Sequence, residues 1–139
     1  MVMAKNKRIS IHTQVGRLQH FFPDSTYKIV GYSQGFIWEG SLKPYDLSNT
    51  YDIRIEYNVK YHPKVFVINP KPLPLAKEEI ELPHVHNHQE QLLCLYHIKK
   101  YEWNESMMIA ETIIPWTSEW LLHYEIWVAT GIWHGGGIH

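Results

Sequence analysis

The chain has 139 residues and a formal net charge of −1, with 45% hydrophobic, 14% aromatic and 19% charged residues. This composition excludes an intrinsically disordered chain, and the length suits one domain with a hydrophobic core. The near-zero charge argues against nucleic-acid binding, and no apolar run approaches the ~18 residues of a membrane span. We therefore predict a single domain over residues 1–139, with a glycine-rich tail at 131–139.

The cysteine content and the N-terminal segment bear on the cellular compartment. Cys94 is the single cysteine, so no internal disulfide can form. The opening stretch "MVMAKNKRISIHTQ" lacks the apolar centre of a signal peptide. Both features predict a protein of the reducing cytoplasm that does not associate with a membrane.

The N-terminal half predicts one helix followed by four strands. Ile11, Val15, Leu18 and Phe22 recur at helical spacing, and Pro23 stops the pattern. The next two runs, "YKIVGYS" and "GFIWEGSL", predict a β-hairpin. A third strand is predicted in "YDIRIEYNVKY", where apolar and polar residues alternate as in a strand with one solvent-exposed face. A fourth short strand is predicted in "HPKVFVINP". The predicted class is α+β with an antiparallel meander.

The C-terminal half predicts a loop, a histidine-rich stretch and a closing helix. "KPLPLAKEEIELP" is bounded by prolines and charged, which favours a loop, while the state of "MMIAETIIP" stays open. "WTSEWLLHYEIWVATG" is typical of a helix that ends at Gly131. Its predicted apolar face, most simply part of the core, comprises Trp116, Trp120, Tyr124, Trp127 and Val128.

The stretch "LPHVHNHQEQLLCLYHI" carries the side chains best suited to chemistry. Three interpretations are open from the residues alone: a zinc site, a cysteine nucleophile, or a buried structural thiol. The usual closed zinc sites use paired short spacings, which one cysteine among alternating histidines does not reproduce. The candidate ligands by residue type are His84, His86, His88, Cys94 and His97. Taken singly, His88, His97 and His123 are interpreted as surface histidines.

The order of these elements resembles the ubiquitin-conjugating enzyme fold over roughly residues 10 to 130. In that family a His-Pro-Asn motif precedes an "ICL"-type active cysteine, with the His ten positions upstream and the Asn eight. Those positions before Cys94 hold His84 and His86. "Tyr61-His62-Pro63" is similar to the family's Tyr-Pro element, and Trp103 is close to the place of its tryptophan.

The departures from that pattern indicate a bacterial branch. Val85 stands in place of the motif's proline and His86 in place of its asparagine. With "IIPW", "EWLLHYEIW" and "GGGIH", this resembles the ubiquitin-conjugating-like proteins of CBASS antiphage operons. The resemblance implies a thioester between the protein and the C-terminus of a cGAS-like nucleotidyltransferase, passed on to an amine. It leaves open the acceptor and the participation of an activating enzyme.

The resemblance also implies a role for each site residue and no cofactor. Cys94 would be the nucleophile. His86 would donate a hydrogen bond to the oxyanion or shuttle a proton from the amine, and His84 would order the loop. Two other functions are weighed against this one: an inactive member of the same fold that only binds a partner, and a zinc-binding module using the histidine cluster.

Overall fold

A computed structural model describes residues 7–135 of the chain. Within this range the strands form one antiparallel sheet in the order β1-β2-β3-β4-β6-β5. The elements in chain order are α1 (Ile11–Phe21), β1 (Thr26–Val30), β2 (Gly35–Leu42), β3 (Tyr51–Asn58), β4 (Lys64–Asn69), β5 (Val85–Asn87), β6 (Leu92–Leu93) and α2 (Ile113–Thr130). The predicted tail at 131–139 lies partly outside the described residues, which end at Gly135.

Helix α1 confirms the predicted N-terminal helix. Ser10 caps it, because the Ser10 hydroxyl accepts a hydrogen bond from the Thr13 N–H at 3.1 Å. Its buried face includes Gln14, whose amide bonds the Met107 carbonyl at 2.9 Å and the Ile109 N–H at 2.8 Å. The helix is thereby tied to the segment that leads into α2.

The four predicted strands are present as β1 to β4, each antiparallel to the next. Strand β3 shows the expected alternation, since Tyr51, Ile53, Ile55 and Tyr57 are buried and the residues between them are half-buried. These side chains join the core together with buried residues of both helices. The core therefore lies between one face of the sheet and the helices.

The predicted number of strands was wrong, because the sheet has six. The two additional strands, β5 and β6, lie within the stretch predicted as an active-site loop. They contain three and two residues, too few for alternating hydrophobicity to show in the sequence. Strand β6 pairs with β4 through Leu92 and Phe66, which adds the hairpin to the edge of the meander.

Gln91 holds this hairpin against β4 from the inside. Its side chain is 2% exposed, and its oxygen accepts a hydrogen bond from the Leu73 N–H at 2.6 Å. Its nitrogen donates to the carbonyls of Val67 at 2.9 Å and Pro70 at 3.1 Å. Buried side-chain amides are tolerated in a protein interior when their polar atoms are hydrogen-bonded, as they are here. The bonded network therefore fixes the residues that immediately precede Cys94.

Helix α2 confirms the predicted C-terminal helix but begins earlier, at Ile113. Pro115 lies in its first turn, where the missing N–H removes no helical hydrogen bond. The helix ends as predicted at Gly131, which has a φ of 79°. Of its predicted apolar face, Trp120, Tyr124 and Trp127 are buried, and Trp116 and Val128 are half-buried. No helix within residues 7–135 combines the length and apolarity needed to cross a bilayer.

Candidate active site

Cys94 follows directly after β6 and is buried, with 5% of its surface exposed. Its backbone N–H donates to the His84 carbonyl at 3.1 Å, which joins it to the residue before β5. Its Sγ lies 3.8 Å from the Tyr96 carbonyl, to which the thiol donates. The pairing of β4, β6 and β5 thus sets the position of the sulfur.

The surroundings of Cys94 favour the protonated thiol. Burial is the main cause that raises the pKa of the Cys94 thiol above its ordinary value. A hydrogen bond with the Tyr96 backbone lowers this pKa, and the Glu102 carboxylate raises it again. Because the thiolate is the nucleophilic form of cysteine, this burial lowers the nucleophilic fraction of Cys94.

A cavity of about 260 Å³ opens beside the sulfur. Helix α2, the residues around β5 and β6, and the segment after α2 all contribute to its wall. Aromatic rings line it together with two carboxylates and two imidazoles. The lining side chains with aromatic or titratable groups are His84, Cys94, Tyr96, Glu102, Trp116, Glu119, Trp120, His123 and Trp133.

The predicted site residue His84 lines this cavity. The backbone carbonyl of His84 connects the segment at Cys94 to helix α2. This oxygen accepts from the Cys94 N–H and, at 2.9 Å, from the indole N–H of Trp120. The His84 ring lies against the ring of Trp133, with centroids 4.7 Å apart and planes 30° apart. His84 therefore connects the cysteine, helix α2 and the segment that follows the helix.

His86 lies on β5 with an exposed side chain and lines a second cavity, of about 340 Å³. This cavity is mainly apolar, with Leu92, Leu95 and Ile98 in its wall. The two cavities share Leu95 and Tyr96, the residues just after Cys94. The three predicted site residues thus divide between adjoining cavities, with Cys94 and His84 in the first and His86 in the second.

Sequence reasoning missed the acidic and imidazole groups that α2 and the following segment bring to the first cavity. His123 was interpreted as a surface histidine, yet it lines this cavity with Glu119 one helical turn before it. The signal available in the sequence was their spacing of four residues, which places both side chains on one side of the helix, near Trp120. Trp133, in the segment after α2, contacts the rings of His84 and Trp120.

The predicted zinc-ligand candidates do not gather into a metal-binding group. Between residues 7 and 135, no three side chains from His, Cys, Asp and Glu lie close enough together to hold a metal ion. His88 instead accepts a hydrogen bond from the Leu82 N–H at 3.1 Å through Nδ1. The zinc interpretation therefore gains no support from the described geometry.

Replacing Glu102 by glutamine should make the Cys94 thiol more reactive. Removing the carboxylate removes a like charge that disfavours the thiolate, so the pKa falls and the thiolate fraction at neutral pH rises. We expect alkylation by iodoacetamide at pH 7 to accelerate about two- to fivefold, because one partly screened negative charge is removed from beside the thiol. The exposed Glu39→Gln on β2 is the matched control. An unchanged rate in Glu102→Gln would contradict the assigned cause.

Comparison with known protein families adds to this geometry. The model of a family described as "Type II CBASS E2 protein" matches residues 14–139. The match includes both cavities, Cys94 and all the strands. No curated protein matches the chain.

Proposed function

The chain belongs to the family of type II CBASS E2 proteins, and from that premise we propose that Cys94 is the nucleophile of a ubiquitin-conjugating-like transferase. Membership gives the protein an E2-like role in antiphage defence. In the proposed reaction, Cys94 forms a thioester with the C-terminal carboxyl group of a cGAS-like nucleotidyltransferase and passes that acyl group to an amine.

The observation that carries this proposal is the position of the single cysteine. Cys94 lies at the end of β6, in the wall of a cavity that also presents carboxylates and imidazoles. A thiolate here attacks an activated acyl group, and an amine entering the same cavity then reaches the resulting thioester.

We assign the second, apolar cavity to the acyl donor. Its wall of Leu92, Leu95 and Ile98 suits the extended tail of a protein more than it suits a cationic amine. A tail that ends at Cys94 would bring its carbonyl past Leu95 and Tyr96, between the two cavities. Two imidazoles, those of His62 and His86, line that cavity, and we propose that His86, at the position of the family's asparagine, donates a hydrogen bond to the oxyanion.

His86→Ala should slow transfer from the thioester more than it slows formation of the thioester. Loss of an oxyanion donor costs roughly 10²-fold in rate. Loading of Cys94 and release to an amine are measured separately, by single-turnover assays read by intact mass spectrometry. His12→Ala is the matched control, since His12 is an exposed histidine on α1 outside both cavities. Wild-type rates for both steps in His86→Ala would refute the assignment.

A second function, partner binding without catalysis, is favoured by one observation. Cys94 is nearly inaccessible and its pKa is raised by burial, unlike an exposed and activated thiol. Intact mass spectrometry of the protein co-expressed with its presumed nucleotidyltransferase separates the two functions. A larger species that disappears with reducing agent supports the transferase, whereas co-purification without any adduct supports binding alone.

A further inference from the structure

Helix α2 presents a histidine and a carboxylate, one turn apart, to the cavity beside Cys94. His123 Nε2 lies 3.7 Å from Glu119 Oε1, and the two side chains are 21% and 67% exposed. We propose that His123, oriented by Glu119, is a catalytic base that accepts the proton of the amine attacking the Cys94 thioester. This inference rests on the proposed function and adds the group that completes its second step.

The hydrogen bonding of His123 supports a role beyond packing. Its Nδ1 is buried and has no hydrogen-bond partner among residues 7–135. A buried polar atom without a partner destabilises the fold, so such atoms are few in folded proteins and call for an explanation. When Nε2 holds its proton toward Glu119, Nδ1 carries a free lone pair. We assign the proton-accepting role to that nitrogen.

The packing around the ring holds it in place. The Trp133 ring lies 5.9 Å from the His123 ring between centroids. Gly135 lies so close that a Cβ there would come within 2.9 Å of His123 Cδ2. The ring is therefore held from the side of the C-terminal segment, while Glu119, whose Oε1 lies 3.7 Å from Nε2, flanks it on its own helix. A base that is fixed on two sides loses little entropy in the reaction.

The charges of the cavity suit a cationic amine. Glu119 and Glu102 place two carboxylates in its wall, and both attract an ammonium group. The C-terminal segment adds the exposed His134 next to Gly135. The titratable groups that line the cavity together with His123 are Glu119 on α2, His84 before β5, and Cys94, Tyr96 and Glu102 in the chain after β5.

The proposed step balances without any further reactant. The amine nitrogen attacks the thioester carbonyl carbon and forms the new C–N bond. The C–S bond breaks, and the sulfur of Cys94 leaves as the thiolate. His123 takes the proton released from the nitrogen, and the imidazolium formed is stabilised by the Glu119 carboxylate. The proton then passes to the thiolate or to solvent, which restores the starting protein.

The test is single-turnover discharge of Cys94 after loading from the mercaptoethanesulfonate thioester of acetyl-glycyl-glycine, with Nα-acetyl-lysine as the amine. We expect His123→Gln to load as the wild type does and to discharge about 10²-fold more slowly at pH 7.5, as for the loss of a general base. Between pH 8 and pH 5.5 the ratio of wild-type to variant rates should fall toward one. A base that already carries a proton at low pH cannot accept another one.

A second variant and a matched control keep the result interpretable. Glu119 is largely exposed, so Glu119→Gln should fold normally and still slow discharge several-fold. His20→Gln on α1, an exposed histidine, should discharge as the wild type does. Wild-type discharge in His123→Gln, or a slowing that is equal at every pH, would overturn the role of His123 alone. Failure of the wild-type protein to load at all would overturn the proposed function together with this inference.

Discussion

Cys94→Ser should abolish the thiol-labile adduct when the protein is co-expressed with the cGAS-like nucleotidyltransferase that we propose as its partner. The substitution replaces one atom at a site that is 5% exposed, and a serine hydroxyl can still donate to the Tyr96 carbonyl. The fold should therefore persist while the nucleophile is lost, because a hydroxyl ionises far less readily than a thiol. Intact mass spectrometry with and without reducing agent measures the adduct directly.

The interpretation of that experiment depends on its controls. The wild-type protein should show a larger species that disappears with reducing agent, and Cys94→Ser should show none while still co-purifying with its partner. Unfolding curves of both proteins establish that the variant is folded. A thiol-labile adduct that persisted in Cys94→Ser would show that another group carries the acyl chain, and the proposed mechanism would be wrong.

Trp120→Ala should cause the second large effect, a loss of about 3–5 kcal/mol in the free energy of unfolding, the range for truncating a buried tryptophan. Trp120 is 4% exposed, and its ring stacks on Tyr124 with centroids 5.6 Å apart and planes 6° apart. Its indole N–H also donates to the His84 carbonyl. Urea denaturation measures the loss, and the same variant should load Cys94 more slowly because the backbone around His84 loses its support.

Trp120→Phe separates packing from hydrogen bonding at this position. The phenylalanine keeps an aromatic ring and removes the indole N–H. Because the His84 carbonyl still accepts a hydrogen bond from the Cys94 N–H, the free energy of unfolding should fall by only about 1–2 kcal/mol. Trp116→Ala is the matched control, because Trp116 lines the same cavity but is only half-buried, so the loss should be smaller than in Trp120→Ala. An equal loss in the two alanine variants would contradict the role given to Trp120.

The parts of the fold that could be predicted are those with a regular pattern. Helix α1 and strand β3 carry complete apolar periodicities, and Gly131 marks a helix end by its conformational freedom. Strands β5 and β6 have no such signal, because their position depends on long-range pairing with β4 and on the buried side chain of Gln91. Local sequence contains no information about which distant strand such a short segment meets.

Part of the candidate site could likewise be predicted from the sequence, and part of it could not. A resemblance to known sequences pointed to Cys94, His84 and His86, since their spacing along the chain is fixed by the motif itself. Nothing in the spacing of Glu119 and His123 indicates which part of the chain their helix faces. That information arises only when α2 packs beside β5 and β6, with Trp120 bonded to the His84 carbonyl.

Burial of Cys94 has a further consequence for the durability of the protein. Peroxides and other oxidants attack the thiolate of an accessible cysteine and drive it to sulfenic and then irreversible sulfinic and sulfonic acids. A sulfur that is 5% exposed and held as the thiol resists that damage. Burial therefore helps to keep the Cys94 sulfur in the reduced form that the proposed thioester chemistry needs.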